Sequence, residues 1–136
     1  MTGPNRLMNL QNTLYRLLQL GAIPIINQHD SVATEEISVG DNDTMGALVA
    51  KYMRADLLVL LSDIDGLYTA DPHTHPEAEL ISNVPEITPQ VEALAGGAGS
   101  KLGTGGMATK IMAAKLATSA GVDMVIANGA NALVLY

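Results

Sequence analysis

The residues best suited to chemistry lie in Gly103-Thr104-Gly105-Gly106-Met107-Ala108-Thr109-Lys110, a glycine-rich stretch running straight into an alanine-rich helical segment. Free backbone N–H groups at a helix start attract anions, and glycines let an oligophosphate approach the main chain. Lys110 falls in the first or second turn, where the macrodipole disfavours a cation by about 0.3–1 kcal/mol. A bound phosphate would reverse that penalty. The competing reading is a glycine loop with a solvated lysine. A Walker A loop is excluded, because no Gly-Lys pair occurs in the chain. Gly103, Gly105 and Ala108 match G-x-G-x-x-A, but a dinucleotide fingerprint follows a buried strand directly. Here Ser100 and Lys101 precede it, and Asp123 comes before its strand instead of ending one.

A second cluster, Asp41-Asn42-Asp43, precedes an amphipathic segment. Asp and Asn are favoured helix caps, so one of the three is explained locally. Three consecutive polar groups exceed that need. An amino acid ligand would use a carboxylate for its ammonium group and amides for its own carboxylate. A calcium loop beginning at Asp41 is excluded, since Met45 and Tyr52 occupy positions that must supply oxygen. His73 and His75 lie in a proline-flanked polar loop with no third ligand nearby and read as solvated. His29 reads as pocket lining, and Ser62 has no partner base at motif spacing. Lys51, Arg54 and Lys115 read as solvated helix charges, and Met45, Met53, Met107, Met112 and Met124 as core filler.

The elements that must position these groups follow from periodicity. Leu7, Leu10, Leu14, Leu17 and Leu18 recur at helical spacing, with Gly21 as C-cap. Ile23–Asn27 reads as a strand despite Pro24, and Glu36–Val39 as a short one. Met45, Leu48, Val49, Tyr52 and Met53 mark a helix capped by Asp43 or Thr44. Leu57–Leu61 is apolar on both faces, as in a covered parallel sheet. Residues 71–83 form a polar excursion, and a short helix follows Thr88-Pro89. Gly96–Gly106, with six glycines, is a loop; Met107–Ala120 is helical, ended by Gly121; Asp123–Ala127 is the last strand. Alternating helix and strand predict an α/β fold with a mainly parallel sheet sandwiched by helices. Ligands in such sheets bind where strands end, which directs attention to Gln28-His29-Asp30, to Ser62-Asp63-Ile64-Asp65-Gly66 and to Asn128-Gly129.

Composition narrows the function classes. The 136 residues suit one domain, and 48% hydrophobic content with a mean hydropathy of +0.23 argues for a packed core. The net charge of −7 and only seven lysines and arginines argue against a nucleic-acid partner. Without cysteine there is no disulfide, thiolate metal site or cysteine nucleophile. No apolar run is long enough for a membrane span, and the N-terminus lacks a secretory signal, so a cytoplasmic protein is expected.

Together the segments PIINQHDSVATEEISVGDND, ADLLVLLSDIDGLYTADP and EALAGGAGSKLGTGGMATK resemble the glutamate 5-kinase family of the amino acid kinase superfamily. DGLYTADP is shared across the superfamily, whereas GDND and GTGGMATK are narrower. The resemblance runs from about Asn5 to Asn128. It implies that residues 1–136 form part of one amino acid kinase domain, its central and nucleotide-binding portion, incomplete at both ends. Family members begin with a strand, a glycine-rich loop and a catalytic lysine that are absent here, and continue past Tyr136. Gln28-His29 replaces a more usual acidic and amide pair. By resemblance, Asn27, Asp30 and Asn42 hold L-glutamate, with Asp41 and Asp43 ordering the site. Ser62 and Asp63 contact ATP; Thr104, Gly105, Gly106, Met107, Ala108, Thr109 and Lys110 surround its phosphates. Lys110 and Asp43 are the implied catalytic pair, and ATP with Mg2+ the implied cosubstrate. The product would be gamma-glutamyl phosphate, the first step toward proline, with proline as a feedback inhibitor and a homo-oligomer as an open expectation. The alternatives are a non-catalytic nucleotide- or amino-acid-binding fragment and a sibling kinase with another substrate.

Overall fold

The computed structural model describes residues 3–27, 42–96, 106–131 and 133. The chain opens with α1 (Gly3–Gln19), followed by α2 (Asn42–Met53) and β1 (Leu57–Ser62). A small antiparallel pair, β2 (Leu67–Tyr68) and β3 (Leu80–Ile81), precedes the short α3 (Pro89–Leu94). The last units are α4 (Met107–Thr118) and β4 (Asp123–Asn128). β1 and β4 pair in parallel, from Leu57 opposite Asp123 to Ser62 opposite Asn128.

Two helix-turn-strand units, α2 with β1 and α4 with β4, therefore lie side by side. Each helix has twelve residues and each strand six, giving ~18 Å of helix against ~20 Å of strand. Because the chain reverses between helix and strand, both helix N-termini lie at the end where both strands finish. That end is the one the sequence singles out for ligands.

The two reversals use the same hydrogen bonding. After α4, Gly121 takes φ of 77° while Val122 N–H donates to Ala117 O at 3.1 Å. After α2, Ala55 N–H donates to Ala50 O at 2.9 Å, and Arg54 occupies the left-handed position with φ of 52°. An arginine accepts this conformation at a cost of about 1 kcal/mol that glycine avoids. α1 ends likewise at Gly21, with φ of 73°. α1 also serves α2 directly. Gln11 Nε2 donates to Tyr52 O at 2.7 Å and Tyr15 Oη to Met53 O at 3.2 Å, satisfying carbonyls that a helix end leaves orphaned.

The core is built from small residues. Ala47 and Ala50 of α2 face Ala113 and Ala117 of α4, with Leu60 and Val122 completing a buried cluster. Alanines at these spacings let the helices approach closely over the Leu58/Leu60 face of β1. Gly46 lies on the same side, where an added Cβ would meet Leu58 Cδ1 at 3.6 Å, an ordinary contact. Gly46→Ala is therefore expected to raise stability by about 0.5–1 kcal/mol, read as a higher midpoint in urea unfolding.

Several expectations change. Ile23–Asn27 forms no strand, and Ile23 and Ile25 are exposed. A strand needs partners for its backbone groups; among the described residues β1 pairs only with β4, and Pro24 has no N–H to offer. Asp43 and Thr44 lie inside the first turn of α2, which begins at Asn42, instead of capping it. The β1–β4 sheet is covered on one face by α2 and α4, while Leu57 and Leu61 of β1 and Val125 of β4 on the other are about half exposed. Met112 is 62% exposed and fills no core. The excursion 71–83 contains β3, and Lys115 pairs with Glu92 at 2.9 Å. The helix after Thr88-Pro89 forms as expected, with Thr88 Oγ1 accepting from Val91 N–H. Glu36–Val39 and most of the glycine loop, 97–105, lie outside the described residues.

Candidate functional site

Helical periodicity explains why Lys110 is buried. Positions 110, 113, 114 and 117 share one face of α4, so the face that packs alanines against α2 also turns Lys110 inward. On α2, Asp43, Ala47 and Ala50 align in the same way. At the common N-terminal end the two faces present a cation and a carboxylate. Lys110 Nζ lies 3.1 Å from Asp43 Oδ2, with side chains 8% and 19% exposed. Thr109 Oγ1 donates to the same carboxylate oxygen at 2.8 Å and also lies 2.8 Å from Gly106 O. Gly106 caps α4 in extended conformation without a side-chain bond, leaving the first-turn N–H groups of Met107 and Ala108 toward the same end. The carboxylate thus neutralises the lysine that the helix dipole disfavours.

The strand exits form a second polar group at this end. Ser62 ends β1 and Asp63 follows it directly, and Ser62 Oγ donates to Asp63 Oδ1 at 3.1 Å. Asp65 Oδ1 accepts from Asn128 Nδ2 at 3.0 Å, and its Oδ2 accepts from Tyr68 Oη at 3.2 Å. Partial desolvation and then the Asp65 carboxylate hold the Tyr68 phenol above its ordinary value of 10.0. The neutral phenol is the favoured form, so this contact is intact below that value and is lost as pH rises through the raised one. An open cleft of about 420 Å³ at the end of β4 is lined by Asp65, Ala127, Asn128, Ala130 and Asn131 among others.

Of the residues singled out in the sequence, the fold brings Asp43, Thr109 and Lys110 into direct contact across 66 and 67 positions. Ser62, Asp63, Gly106, Met107 and Ala108 share their end of the layer. Asn42 opens α2, and Asn27 is exposed at the limit of its described segment. Asp30, Asp41, Thr104 and Gly105 lie outside the described residues, as do Gln28 and His29. Tyr68 carries no local signal of a site residue, and Asn128 only that of a strand exit. The strand-end rule already pointed at Asn128-Gly129, but only the parallel register places Asn128 beside Ser62 and within reach of Asp65.

Comparison with known proteins agrees with this arrangement. The model of the amino acid kinase family matches residues 3–128. A glutamate 5-kinase of Allorhizobium ampelinum is 60% identical over 124 residues, 91% of this chain and 32% of that relative. One from Clostridium acetobutylicum is 57% identical over 129 residues, covering 95% of this chain and 48% of the relative. One from Moorella thermoacetica is 59% identical over 128 residues, or 94% and 34%. The chain spans about a third to a half of the length of these relatives. With helices over a parallel sheet, the acidic and glycine-rich segments meeting at one end, and a family match over nearly its whole length, the chain belongs to the amino acid kinase family.

Proposed function

We propose that residues 1–136 are the central and nucleotide-binding part of a cytoplasmic ATP-dependent glutamate 5-kinase. The reaction joins a side-chain carboxylate oxygen of L-glutamate to the γ-phosphorus of ATP. The bond to the β,γ-bridging oxygen breaks, ADP leaves, and gamma-glutamyl phosphate enters proline synthesis. The observation that carries this reading is the Lys110–Asp43 contact at the start of α4. It joins an anion-attracting helix end to the acidic segment suited to an amino acid. Phosphoryl transfer asks little covalent chemistry of a protein and much positioning and charge neutralisation, which such a junction can supply.

The roles follow from placement and chemistry. Lys110 neutralises charge on the transferring phosphoryl group, and Asp43 holds the ammonium in position until the nucleotide arrives. Thr109 orients that carboxylate. The N–H groups of Gly106, Met107 and Ala108, with Thr104 and Gly105 before them, receive the phosphates, and Ser62 and Asp63 contact the nucleotide. Asn27, Asp30 and Asn42 hold glutamate beside Asp41. Among the described residues no three carboxylate, histidine or cysteine side chains converge to cage a metal. Mg2+ usually keeps several waters and rides on substrate phosphates with one or two carboxylates, which Asp43 and Asp63, among the described residues at this end, could supply. Bound there, it would neutralise phosphate charge. Proline, as pathway product, is the natural feedback ligand. No helix among the described residues is long and apolar enough to cross a membrane.

A second reading is a segment that binds nucleotide or glutamate without turnover; the chain spans about a third to a half of the relatives it matches. ATP-dependent formation of glutamyl hydroxamate by this chain separates the two. Sustained turnover establishes the kinase reading. Binding of both ligands without product establishes the second, and binding of neither overturns both.

A further inference from the structure

We infer that Asn128, acting through Asp65, is a positioning residue for the turn Ser62–Asp63 that the kinase reading assigns to the nucleotide; the inference rests on that reading. Asn128 stands opposite Ser62 in the parallel register, at the point where both strands end. Its backbone neighbour ties the exits together, with Gly129 N–H donating to Ser62 O at 2.8 Å. The approach is close enough that a Cβ on Gly129 would lie 3.2 Å from Leu61 Cβ. This fixes Ser62. Asp63 is then held between Ser62 and Asp65, so whatever fixes Asp65 restricts it.

The amide of Asn128 has the hydrogen bonds to do so. Its Oδ1 accepts from Ala130 N–H at 3.0 Å, which sets the amide orientation and directs Nδ2 at Asp65 Oδ1, 3.0 Å away. The other oxygen of Asp65 accepts from Tyr68 Oη at 3.2 Å. Asp65 is thereby clamped between β4 and β2, and neither carboxylate oxygen is left to swing the turn toward another partner. Asn128 supplies the one thing a carboxylate there could not, a donor. Aspartate at 128 would keep the bond from Ala130 and set a negative charge against Asp65.

The test uses equilibrium binding of a fluorescent ATP analogue with Mg2+ to the whole chain, alongside thermal unfolding. Asn128→Asp is expected to raise Kd roughly tenfold, and Asn128→Ala roughly threefold, because the donor is lost without added repulsion. The double exchange Asp65→Asn with Asn128→Asp restores an amide–carboxylate pair with roles reversed. It also leaves an acceptor for Ala130 and one for Tyr68. Its Kd should return to within about twofold of the parent. Unchanged affinity in both single variants overturns the inference, as does a folded double variant that stays weak. Should Asn128→Asp not fold, the alanine and double variants decide by the same criterion. A parent chain that binds no analogue overturns the nucleotide reading itself, a result distinct from parent binding that the variants leave untouched.

Discussion

Lys110→Met is expected to weaken binding of ATP with Mg2+ by about 10- to 100-fold, the worth of a charge-assisted hydrogen bond to phosphate. Where turnover is measured, it should fall by a further two orders of magnitude or so, because charge neutralisation acts most strongly in the transition state. Methionine keeps the apolar stem, so the α2–α4 contact is preserved while the ammonium is removed. The fold should lose only about 1–2 kcal/mol, since Asp43 retains its bond from Thr109 and some access to water. Asp43→Asn is the complementary variant. It withdraws the carboxylate that neutralises Lys110 at a helix start, so its cost should fall more on stability than on nucleotide affinity. Isothermal titration and urea unfolding on both variants separate the two effects. A folded Lys110→Met chain with undiminished affinity removes the lysine from the phosphate site.

Ala113→Leu should be strongly damaging, lowering stability by about 3 kcal/mol. Ala113 and Ala47 are fully buried on facing helices, and Ala117 beside them is equally inaccessible. Three added carbons leave the helices no course but to separate, which would also draw Lys110 away from Asp43. A loss of that size corresponds to roughly 10 °C in Tm for a chain of this length. Met112→Ala, one residue away but pointing to solvent, should change stability by less than ~0.5 kcal/mol. If the two substitutions had similar effects, the close alanine packing between α2 and α4 would be refuted.

The contrast between positions 112 and 113 shows where sequence reading stops. α4 is apolar nearly all round, so its composition predicts a helix but not which side is buried. Lys110 read locally is a cation at an unfavourable helix end, and a solvated lysine would satisfy every local rule. The carboxylate that changes this is 67 positions earlier, and no spacing rule reaches so far. Ile23–Asn27 fails for a related reason. An apolar extended run becomes a strand only when another strand offers hydrogen bonds, and β1 takes β4 as its partner among the described residues.

Read alone, the sequence settled what local forces govern. The helices at Gly3–Gln19 and Asn42–Met53 follow from apolar spacing and that at Met107–Thr118 from alanine propensity, with glycine stops after the first and last, because helical hydrogen bonds close within five residues. The parallel strands follow from short β-branched and leucine-rich runs, and the family from motifs that stand intact in the chain. The tertiary structure alone decided that Asp43, Thr109 and Lys110 share one point, and that Asn128 reaches Asp65. Those contacts depend on how two helix-turn-strand units of matched length lie against each other. That alignment is set by burial of facing alanines, a cooperative property of surfaces distant in the chain.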